Sequence, residues 1–235
     1  MIKERKVLVT GSSDGIGRSI TLSLLNSGAK VIGLARDHSK FNPEMKNYIK
    51  YKTDFSNEEI LLNTIAKIIN EHKDLDCLVS NAGFGKFGTL ETFSTKEIND
   101  FIFTNLTSHM ILTNKILPHL KKIRKGNIIF IGSESALKGG KNGSLYSAAK
   151  FGLRGFSQSI REESCSKNIH VSLINPGMVR TSFFNNLDFM PGEDNSNAIE
   201  PDDIGKIIID ILSTRNGSVI EEINLSPLKK VIKFL

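Results

Sequence analysis

The sequence contains little of several features that would assign it to a special class of protein. Cysteine occurs only twice, as Cys77 and Cys165, too far apart for a metal-ligand or redox pair. We therefore expect two free thiols in a reducing compartment and no metal site. No apolar run approaches the about 20 residues that a membrane-spanning helix needs. The charged start, MIKERK, is not typical of a signal peptide. These absences predict a cytoplasmic protein without a membrane partner.

Positive charge is in excess, but it is not concentrated in one region. The chain has 31 Lys and Arg against 25 Asp and Glu, a formal net charge of +6. Lysines are interspersed with acids except in two short clusters, at 119–126 and 226–235, which suit helix ends or tails. This distribution is typical of a solvated surface. We therefore expect no nucleic-acid partner, although the charge permits an anionic ligand.

Apolar segments alternate along the chain with segments of helical periodicity. Runs rich in Val and Ile predict strands at 6–10, 29–35, 48–54, 76–83, 127–133, 169–177 and 217–223. Helices are predicted at 17–28, 57–73, 94–124, 144–166 and after Pro201. Near-continuous hydrophobicity indicates strands covered on both faces. The order predicts one α/β domain over 1–235, a Rossmann-type doubly wound parallel sheet of about seven strands in three α/β/α layers.

Two local features qualify this outline. Ser94 and Glu97 predict a capping box that opens the long helix, and Pro118 is expected to bend or disrupt its later part. The stretch 182–199 is irregular, and a loop that long is typical of a mobile lid over a ligand. Its aromatic residues would either line a substrate pocket or pack the loop onto the body.

The segment TGSSDGIG carries three glycines directly after the first predicted strand. Glycines there let the chain turn sharply and bring backbone N–H groups and a helix N-terminus close to a phosphate. The spacing differs from the commoner G-x-G-x-x-G, and no Lys-Ser/Thr pair follows to form a P-loop. Alone, the segment indicates either a nucleotide site or a plain strand-to-helix connection.

The end of the second strand bears on the choice of dinucleotide. Ala35 stands where an acid would bind a ribose hydroxyl, and Arg36 follows it. A guanidinium there can pair with a 2′-phosphate, which favours NADP over NAD. Asp14 and Asp37 could oppose that phosphate or pair with Arg36, and Arg36 could instead be an ordinary surface residue.

Four polar side chains form a candidate catalytic group. Tyr146 and Lys150 are four residues apart, which places both on one face of a helix. An ammonium beside a phenol favours its ionised form, although this spacing also occurs by chance as an exposed pair. Ser133 ends one predicted strand, and Asn105 is a polar residue among apolar ones in the long helix. Asn81 and Gly83 follow another strand, in SNAG.

Taken together, these motifs resemble those of the short-chain dehydrogenase/reductase family over essentially the whole chain. The matching elements are TGSSDGIG, Asp54 in TDF, NAG at 81–83, Asn105, Ser133, YSAAK at 146–150 and PGMVRT at 176–181. The resemblance implies hydride transfer between a nicotinamide cofactor and a carbonyl or alcohol. Tyr146 would be the general acid or base, with Lys150 lowering its pKa and binding the nicotinamide ribose. Ser133 would hold the carbonyl, and Asn105 would anchor a water.

The resemblance also implies which residues bind the cofactor. They are Gly11, Ser13, Gly15, Ile16, Gly17, Arg36, Asp54, Phe55, Asn81, Ala82, Gly83, Tyr146, Lys150, Pro176, Gly177, Val179 and Thr181. Many NADP-using relatives carry a basic residue before the second glycine of the turn, where this chain has Asp14. That departure leaves Arg36, with Ser12 or Ser13, to recognise a 2′-phosphate, and NAD stays possible.

Other functions remain open at this point. Within the family, the substrate is either a small ketone or alcohol or a 3-oxoacyl thioester. Outside it, the fold could serve a dinucleotide sensor without turnover, although the intact catalytic set argues against this. A substrate pocket is expected between Phe84 and Phe87, residues 134–137, and the lid with Phe183, Phe184, Phe189 and Met190. The family's usual contacts predict a homodimer or homotetramer formed by the helices at 94–124 and 144–166.

Overall fold

A parallel sheet of seven strands forms the centre of the protein. The computed structural model describes residues 2–235 and gives the strand order β3-β2-β1-β4-β5-β6-β8. The strands are β1 (Lys6–Thr10), β2 (Lys30–Ala35), β3 (Tyr48–Lys52), β4 (Cys77–Ser80), β5 (Gly126–Ile131), β6 (Ile169–Pro176) and β8 (Glu222–Leu225). A separate antiparallel ribbon pairs β7 (Phe189–Pro191) with β9 (Ile232–Phe234). The predicted seven-stranded parallel sheet is confirmed.

Helices cover both faces of the sheet. They are α1 (Gly15–Asn26), α2 (Glu58–Glu71), α3 (Thr95–Ile102), α4 (Ser108–Ile123), α5 (Ser144–Ser164) and α6 (Pro201–Ser213). Successive residues of a strand point to opposite faces, so Leu8 joins the core under α2, α4 and α5. Its neighbours Val7 and Val9 join the core under α1 and α6. The three predicted layers follow from this alternation.

The sheet reverses its strand order at β1. β1 pairs with β2 on one side and with β4 on the other, so two series of crossovers run outward from it. A crevice opens at such a point, outside the carboxyl ends of the strands. The loops after β1, β4, β5 and β6 therefore meet at one edge of the sheet.

The long helix predicted over 94–124 is not interrupted at Pro118. α4 continues to Ile123, because Leu117, Leu120 and their neighbours are buried against the sheet and their packing outweighs the lost hydrogen bond. The departure from α-helical geometry lies earlier, in a π-helical turn at Phe103–Thr107. The predicted capping box of Ser94 and Glu97 is present at the start of α3.

Two other predicted segments differ in the structure. The last strand of the sheet lies at Glu222–Leu225 and not at 217–223, because its register is set by pairing with β6 from Leu173 to Pro176. The stretch 182–199 is not wholly irregular. It contains two single 3₁₀ turns and β7, which pairs with the C-terminal β9. Among residues 2–235, no helix is long and apolar enough to cross a membrane.

Candidate active site

The glycine turn after β1 brings two backbones very close together. Gly11 and Gly15 have φ of +67° and +49°, a conformation that L side chains rarely adopt. A Cβ on Gly17 would lie 2.1 Å from the carbonyl oxygen of Gly11. Only glycine permits this approach of α1 to β1. Because the first N–H groups of a helix have no partner within it, the turn offers donors to an anion at this point.

Thr10 fixes the NAG loop against the glycine turn, and the sequence motifs did not single it out. Its hydroxyl accepts hydrogen bonds from the backbone N–H groups of Asn81 and Ala82, both at 2.8 Å. The side chain of Asn81 donates in turn to the carbonyl oxygen of Thr10 at 2.9 Å. Asn81 therefore braces the turn from the end of β4. The sequence feature that could have indicated Thr10 is a polar residue at the end of a buried strand.

Asp14 is engaged away from Arg36. Its carboxylate accepts from the backbone N–H of Gly15 at 2.7 Å, which caps α1, and from the hydroxyl of Ser182 at 2.8 Å. Asp37 is occupied by hydrogen bonds from Ser39. Arg36 is exposed, and among residues 2–235 no carboxylate lies within 4.0 Å of its guanidinium. Neither acid occupies it in an ion pair.

Ser12 does not reach this edge of the turn. It is fully buried, and its hydroxyl lies 3.1 Å from the phenol oxygen of Tyr48. Ser13 is half-buried and is the more accessible of the two serines. Any help to Arg36 from this turn is therefore expected from Ser13.

Asp54 and Phe55 follow β3 at the same edge. The Asp54 carboxylate accepts from the backbone N–H and the hydroxyl of Ser56, and these bonds hold its pKa below the usual value. Phe55 is buried in the core. Asp54 therefore presents an ionised, half-buried carboxylate to the crevice, whereas Phe55 contributes packing.

α5 brings Tyr146 and Lys150 together. The ammonium of Lys150 is 5.8 Å from the centre of the Tyr146 ring and donates to the carbonyl oxygen of Ile131 at 3.0 Å. Lys150 is buried, and burial lowers its pKa to about 8. Burial raises the pKa of Tyr146 to about 12, with Ser133 acting against the rise and the Glu134 charge adding to it. The expected lowering by Lys150 is not evident here, because the pKa of Lys150 lies below that of Tyr146 and the lysine is already neutral when the phenol ionises.

Ser133 lies two residues beyond β5 and is buried. Its hydroxyl oxygen accepts from the backbone N–H of Ser135 at 3.1 Å and caps a single 3₁₀ turn at Glu134–Ala136. This cap fixes the side chain beside Tyr146. Ser133, Tyr146 and Lys150 are thus brought together as the sequence predicts.

Asn105 lies in the π-helical turn between α3 and α4 and is buried. Its side-chain oxygen accepts from the backbone N–H of Phe84 at 3.1 Å, and its amide donates to the carbonyl oxygen of Phe101. A Cβ on Gly83 would lie 2.6 Å from the side-chain oxygen of Asn105. Asn105 therefore holds the NAG loop against the helix, and π-turns of this kind are frequent at functional sites.

His109, one turn after Asn105, is a buried residue that no sequence motif indicated. Its Nε2 lies 2.8 Å from the carbonyl oxygen of Ala82, and its Nδ1 lies 2.7 Å from the hydroxyl of Ser80. A carbonyl only accepts, so Nε2 carries the proton and Nδ1 accepts from Ser80. Burial and the Lys150 charge lower the pKa of His109 to about 3. It stays neutral and positions the NAG loop.

Aromatic rings surround Tyr146 on the side away from the sheet. The ring centres of Phe87 and Phe183 lie 5.2 Å and 5.9 Å from that of Tyr146. Phe189 packs on Phe87 at 5.0 Å. A Cβ on Gly85 would lie 2.4 Å from the Phe183 ring, so the loop after β4 accommodates this ring closely. The lid residues therefore do pack onto the body and against the Tyr146 ring.

The segment after β6 links the glycine turn to the lid. Val179 is buried and bridges Ile199, and Thr181 lies 3.3 Å from the position of a Cβ on Gly15. Arg180 donates to the carbonyl oxygens of Gly192 and Asp194. Pro176 ends β6, and Gly177 donates to the carbonyl oxygen of Leu225 at 2.7 Å. The predicted residues of this segment all lie at the crevice.

The described residues hold no metal-binding cluster: in the range 2–235, no group of three or more His, Cys, Asp or Glu could hold an ion.

The family model for short chain dehydrogenase matches residues 5–190. The chain belongs to this family.

Its similarity to individual short-chain dehydrogenases extends over most of the chain. The 3-oxoacyl-[acyl-carrier-protein] reductase of Escherichia coli K12 is 38% identical, over 74% of this chain and 73% of that protein. A metagenomic short-chain oxidoreductase in complex with NADP is 29% identical, with a TM-score of 0.82 over 95% and 97% of the two chains. A 3-ketoacyl-(acyl-carrier-protein) reductase from Brucella melitensis, complexed with NADH, has a TM-score of 0.85 at 20% identity, over 98% and 100%.

These findings establish the general activity. This short-chain dehydrogenase is an oxidoreductase that acts on CH–OH and C=O groups, and it binds a nicotinamide dinucleotide.

Proposed function

We propose that the protein is an NADP(H)-dependent reductase of apolar ketones or aldehydes, with Tyr146 as the proton donor. The observation that carries the proposal is the position of Tyr146. It stands between Ser133 and Lys150 on one side and the rings of Phe87 and Phe183 on the other. An apolar carbonyl compound would meet its polar partners only at that point.

The residues at the crevice fit a dinucleotide. Gly11, Gly15 and Gly17 let the turn pack closely on its neighbours at the N-terminus of α1, where a pyrophosphate would lie against Ser13, Ile16 and backbone N–H groups. Asp54, Asn81, Ala82 and Gly83 would hold the adenosine half. Pro176, Gly177, Val179 and Thr181 would hold the nicotinamide. When bound there, the cofactor supplies the hydride that reduces the carbonyl carbon.

Each catalytic side chain then has one task. Ser133 donates a hydrogen bond to the substrate carbonyl oxygen, and the Tyr146 phenol gives that oxygen a proton. Lys150, freed from Ile131, binds the nicotinamide ribose and favours the phenolate that remains. Asn105 would anchor a water that links Lys150 to solvent and resupplies the proton. In the reverse direction, Tyr146 acts as the base.

Arg36 supports the preference for NADP. It is exposed at the end of β2, and among residues 2–235 no carboxylate lies within 4.0 Å of its guanidinium. Asp14 is bonded to Gly15 and Ser182 instead. A guanidinium in this state is available for bidentate pairing with a 2′-phosphate. The complex of the metagenomic relative with NADP is consistent with this preference. The Brucella reductase binds NADH, so NAD is retained as the alternative cofactor.

A 3-oxoacyl thioester is the second candidate substrate. Similarity to the Escherichia coli 3-oxoacyl-[acyl-carrier-protein] reductase favours it, and the net charge of +6 permits it. The same carbonyl chemistry would apply, with the acyl chain against the aromatic rings. We further propose that the enzyme works in the cytoplasm as a homodimer or homotetramer through α4 and α5.

Turnover of a ketone and aldehyde panel, with an acetoacetyl thioester included, tests the proposal. NADPH oxidation should exceed NADH oxidation, and Tyr146→Phe should reduce kcat by about 100-fold or more while leaving NADPH binding intact. If Tyr146→Phe kept most of the activity, the proton donor would be another group. Tight NADPH binding with no NADPH oxidation in the presence of any substrate of the panel would favour the sensor.

A further inference from the structure

The C-terminal tail, residues 226–235, lies across the lid and is fixed to it on both sides of Lys230. The backbone N–H of Lys229 donates to the carbonyl oxygen of Ser196 at 2.9 Å, and that of Gly192 donates to Val231 at 3.0 Å. Leu235 donates to Asp188 at 2.9 Å. Because the residues on both sides of Lys230 are hydrogen-bonded to the lid, the backbone of Lys230 has little freedom to move. The tail therefore delivers the Lys230 side chain to a defined place.

That place is the Glu134 carboxylate, with which Lys230 forms an ion pair. Glu134 follows Ser133 directly in the chain. Its carboxylate also lies against the nicotinamide-lining segment, because a Cβ on Gly177 would be 3.4 Å from its Oε2. Pro227 of the tail lies 3.0 Å from the same position. The tail, Glu134 and Gly177 thus form one contact beside the proposed catalytic group.

We infer that Lys230 is a positioning residue for the reaction. By pairing with Glu134, the residue that follows Ser133, it offsets part of the negative charge beside the Tyr146 phenol, and it couples the tail and the lid to the catalytic group. This inference rests on the proposed role of Tyr146.

The charges around Tyr146 are few, which makes the effect of Glu134 visible. On its own helix the charged neighbour is Lys150, and from the loop after β5 it is Glu134. The loop after β4 and the lid present the rings of Phe87 and Phe183. Of the charged residues of those two elements, Lys86 pairs with Glu97 and Glu193 with Lys233, Asp194 accepts from Ser196, and Asp188 is exposed. On α3, whose Phe101 ring packs on Tyr146, Lys96 pairs with Asp100.

A carboxylate near a phenol disfavours the phenolate, so the Glu134 charge raises the pKa of Tyr146. Lys230 offsets that charge. Glu134 and Lys230 are 34% and 60% exposed, so water and salt screen the pair and its effect is moderate. We expect the pKa of Tyr146 to rise by about half a unit in Lys230→Gln and to fall by a similar amount in Glu134→Gln.

The test measures Tyr146 directly. The chain has three tyrosines and no tryptophan, so ¹³Cζ-labelled tyrosine gives three signals, and Tyr146→Phe assigns one of them. The pH midpoint of that signal would be measured with saturating NADP⁺ for wild type, Lys230→Gln, Glu134→Gln and the double variant. The pH profile of kcat for ketone reduction should move in the same order. Lys233→Gln is the matched control, because Lys233 belongs to the same tail but pairs with Glu193.

The expected order of midpoints is Lys230→Gln above wild type and wild type above Glu134→Gln. The double variant should match Glu134→Gln, because without the carboxylate Lys230 has nothing to offset. At about 1 M salt, where the Debye length is about 3 Å, wild type and Lys230→Gln should converge.

Two results would overturn the inference: a Lys230→Gln midpoint equal to that of Lys233→Gln, or a shift that persists in the Glu134→Gln background. Both can be observed without turnover. A failure of the proposed function is distinct, since it would appear as wild-type protein that reduces no substrate of the panel.

Discussion

Arg36 and Lys150 are two cationic residues of the candidate site, of which the first is exposed and the second is buried. Arg36 is exposed and has no carboxylate partner among residues 2–235, so its charge is available to a ligand. Lys150 is buried, and its charge is disfavoured by its surroundings. At the scale of single residues, each environment predicts a measurable change on substitution.

Arg36→Ala is expected to weaken NADPH binding by about 10–100-fold, because a charge-assisted bond to a phosphate is worth about 1.5–3 kcal/mol. NADH binding should change little. Fluorescence titration of both cofactors measures the difference. Lys67→Gln, which removes an exposed cation from α2, serves as the control. An equal loss for NADPH and NADH would contradict the role of Arg36.

Lys150→Met is expected to abolish most turnover and yet to stabilise the fold. The pKa of Lys150 is lowered from 10.5 to about 8, so between these values the unfolded chain binds more protons than the folded one. The cost of burying the charge is therefore complete below about pH 8 and disappears as the pH approaches 10.5. Allowing for the lost bond to Ile131, the variant should gain about 2 kcal/mol at pH 7.

Urea unfolding of wild type and Lys150→Met at pH 7 and pH 10 checks this expectation. The advantage of the variant should shrink at the higher pH, where the wild-type lysine is neutral in the folded state. A variant less stable than wild type at pH 7 would show that the contacts of this ammonium in the folded state outweigh the cost of its burial.

At the scale of elements, the lid is positioned by three separate segments. Arg180 after β6 holds its later part, β9 pairs with β7, and the loop after β4 accommodates Phe183 against Gly85. In each of these contacts the partner of the lid residue lies outside 182–199. The lid is therefore held by segments that precede it and that follow it in the chain.

Gly85→Ala should displace Phe183, because the new Cβ would lie 2.4 Å from its ring. We expect KM for an apolar ketone to rise about tenfold, since overpacking of this kind costs about 1–3 kcal/mol. The dissociation constant of NADPH should stay the same, which separates the lid from the cofactor site. Gly139→Ala is the control, because nothing lies within 4 Å of the added Cβ. An unchanged KM would mean that Phe183 does not border the substrate.

At the scale of the whole molecule, apolar side chains remain exposed on the helices expected to form a subunit interface. Phe151 on α5 is 43% exposed and Ile123 at the end of α4 is 38% exposed. The C-terminal tail has exposed apolar residues of its own, among them Phe234. We expect the surface on α4 and α5 to form the subunit interface and the apolar residues of the tail to lie outside it.

Phe151→Glu should convert a dimer or tetramer of the 26.0 kDa chain into a smaller species. A charge at the centre of an apolar contact would have to lose its hydration there. Sedimentation velocity or light scattering measures the mass, with Phe234→Ser on the tail as the control. A wild-type protein that is already monomeric at micromolar concentration would refute the predicted assembly.

The sequence alone predicted the architecture well and its boundaries less well. Seven strands were expected and seven pair in the sheet, since buried parallel strands carry a continuous apolar signal that is local along the chain. The last strand was predicted a few residues too early, because Val219 and Ile220 are typical strand residues. Pairing with β6 instead sets its position at Glu222–Leu225. Pro118 was expected to disturb its helix, but burial of the adjacent turns outweighs the local preference.

Spacing also predicted which side chains would approach one another within a helix. Tyr146 and Lys150 share a face of α5 because four residues make about one turn. The family motifs placed Ser133, Asn105 and the glycine turn at the same sheet edge, where the strands' carboxyl ends meet. The shared helix face follows from periodicity, which is local along the chain, whereas the meeting at one sheet edge also depends on how the strands pair.

Only the tertiary structure decided which charges are paired and which are free. Asp14 meets Ser182 across 168 positions of sequence, and among residues 2–235 no carboxylate lies within 4.0 Å of the Arg36 guanidinium. Lys230 meets Glu134 across 96 positions, and burial sets the pKa values of Tyr146 and Lys150. Hydrophobic periodicity is written along neighbouring residues, so sequence alone determined the fold. Charge pairing and desolvation depend on distances in space between remote segments, so they follow only once the chain is folded.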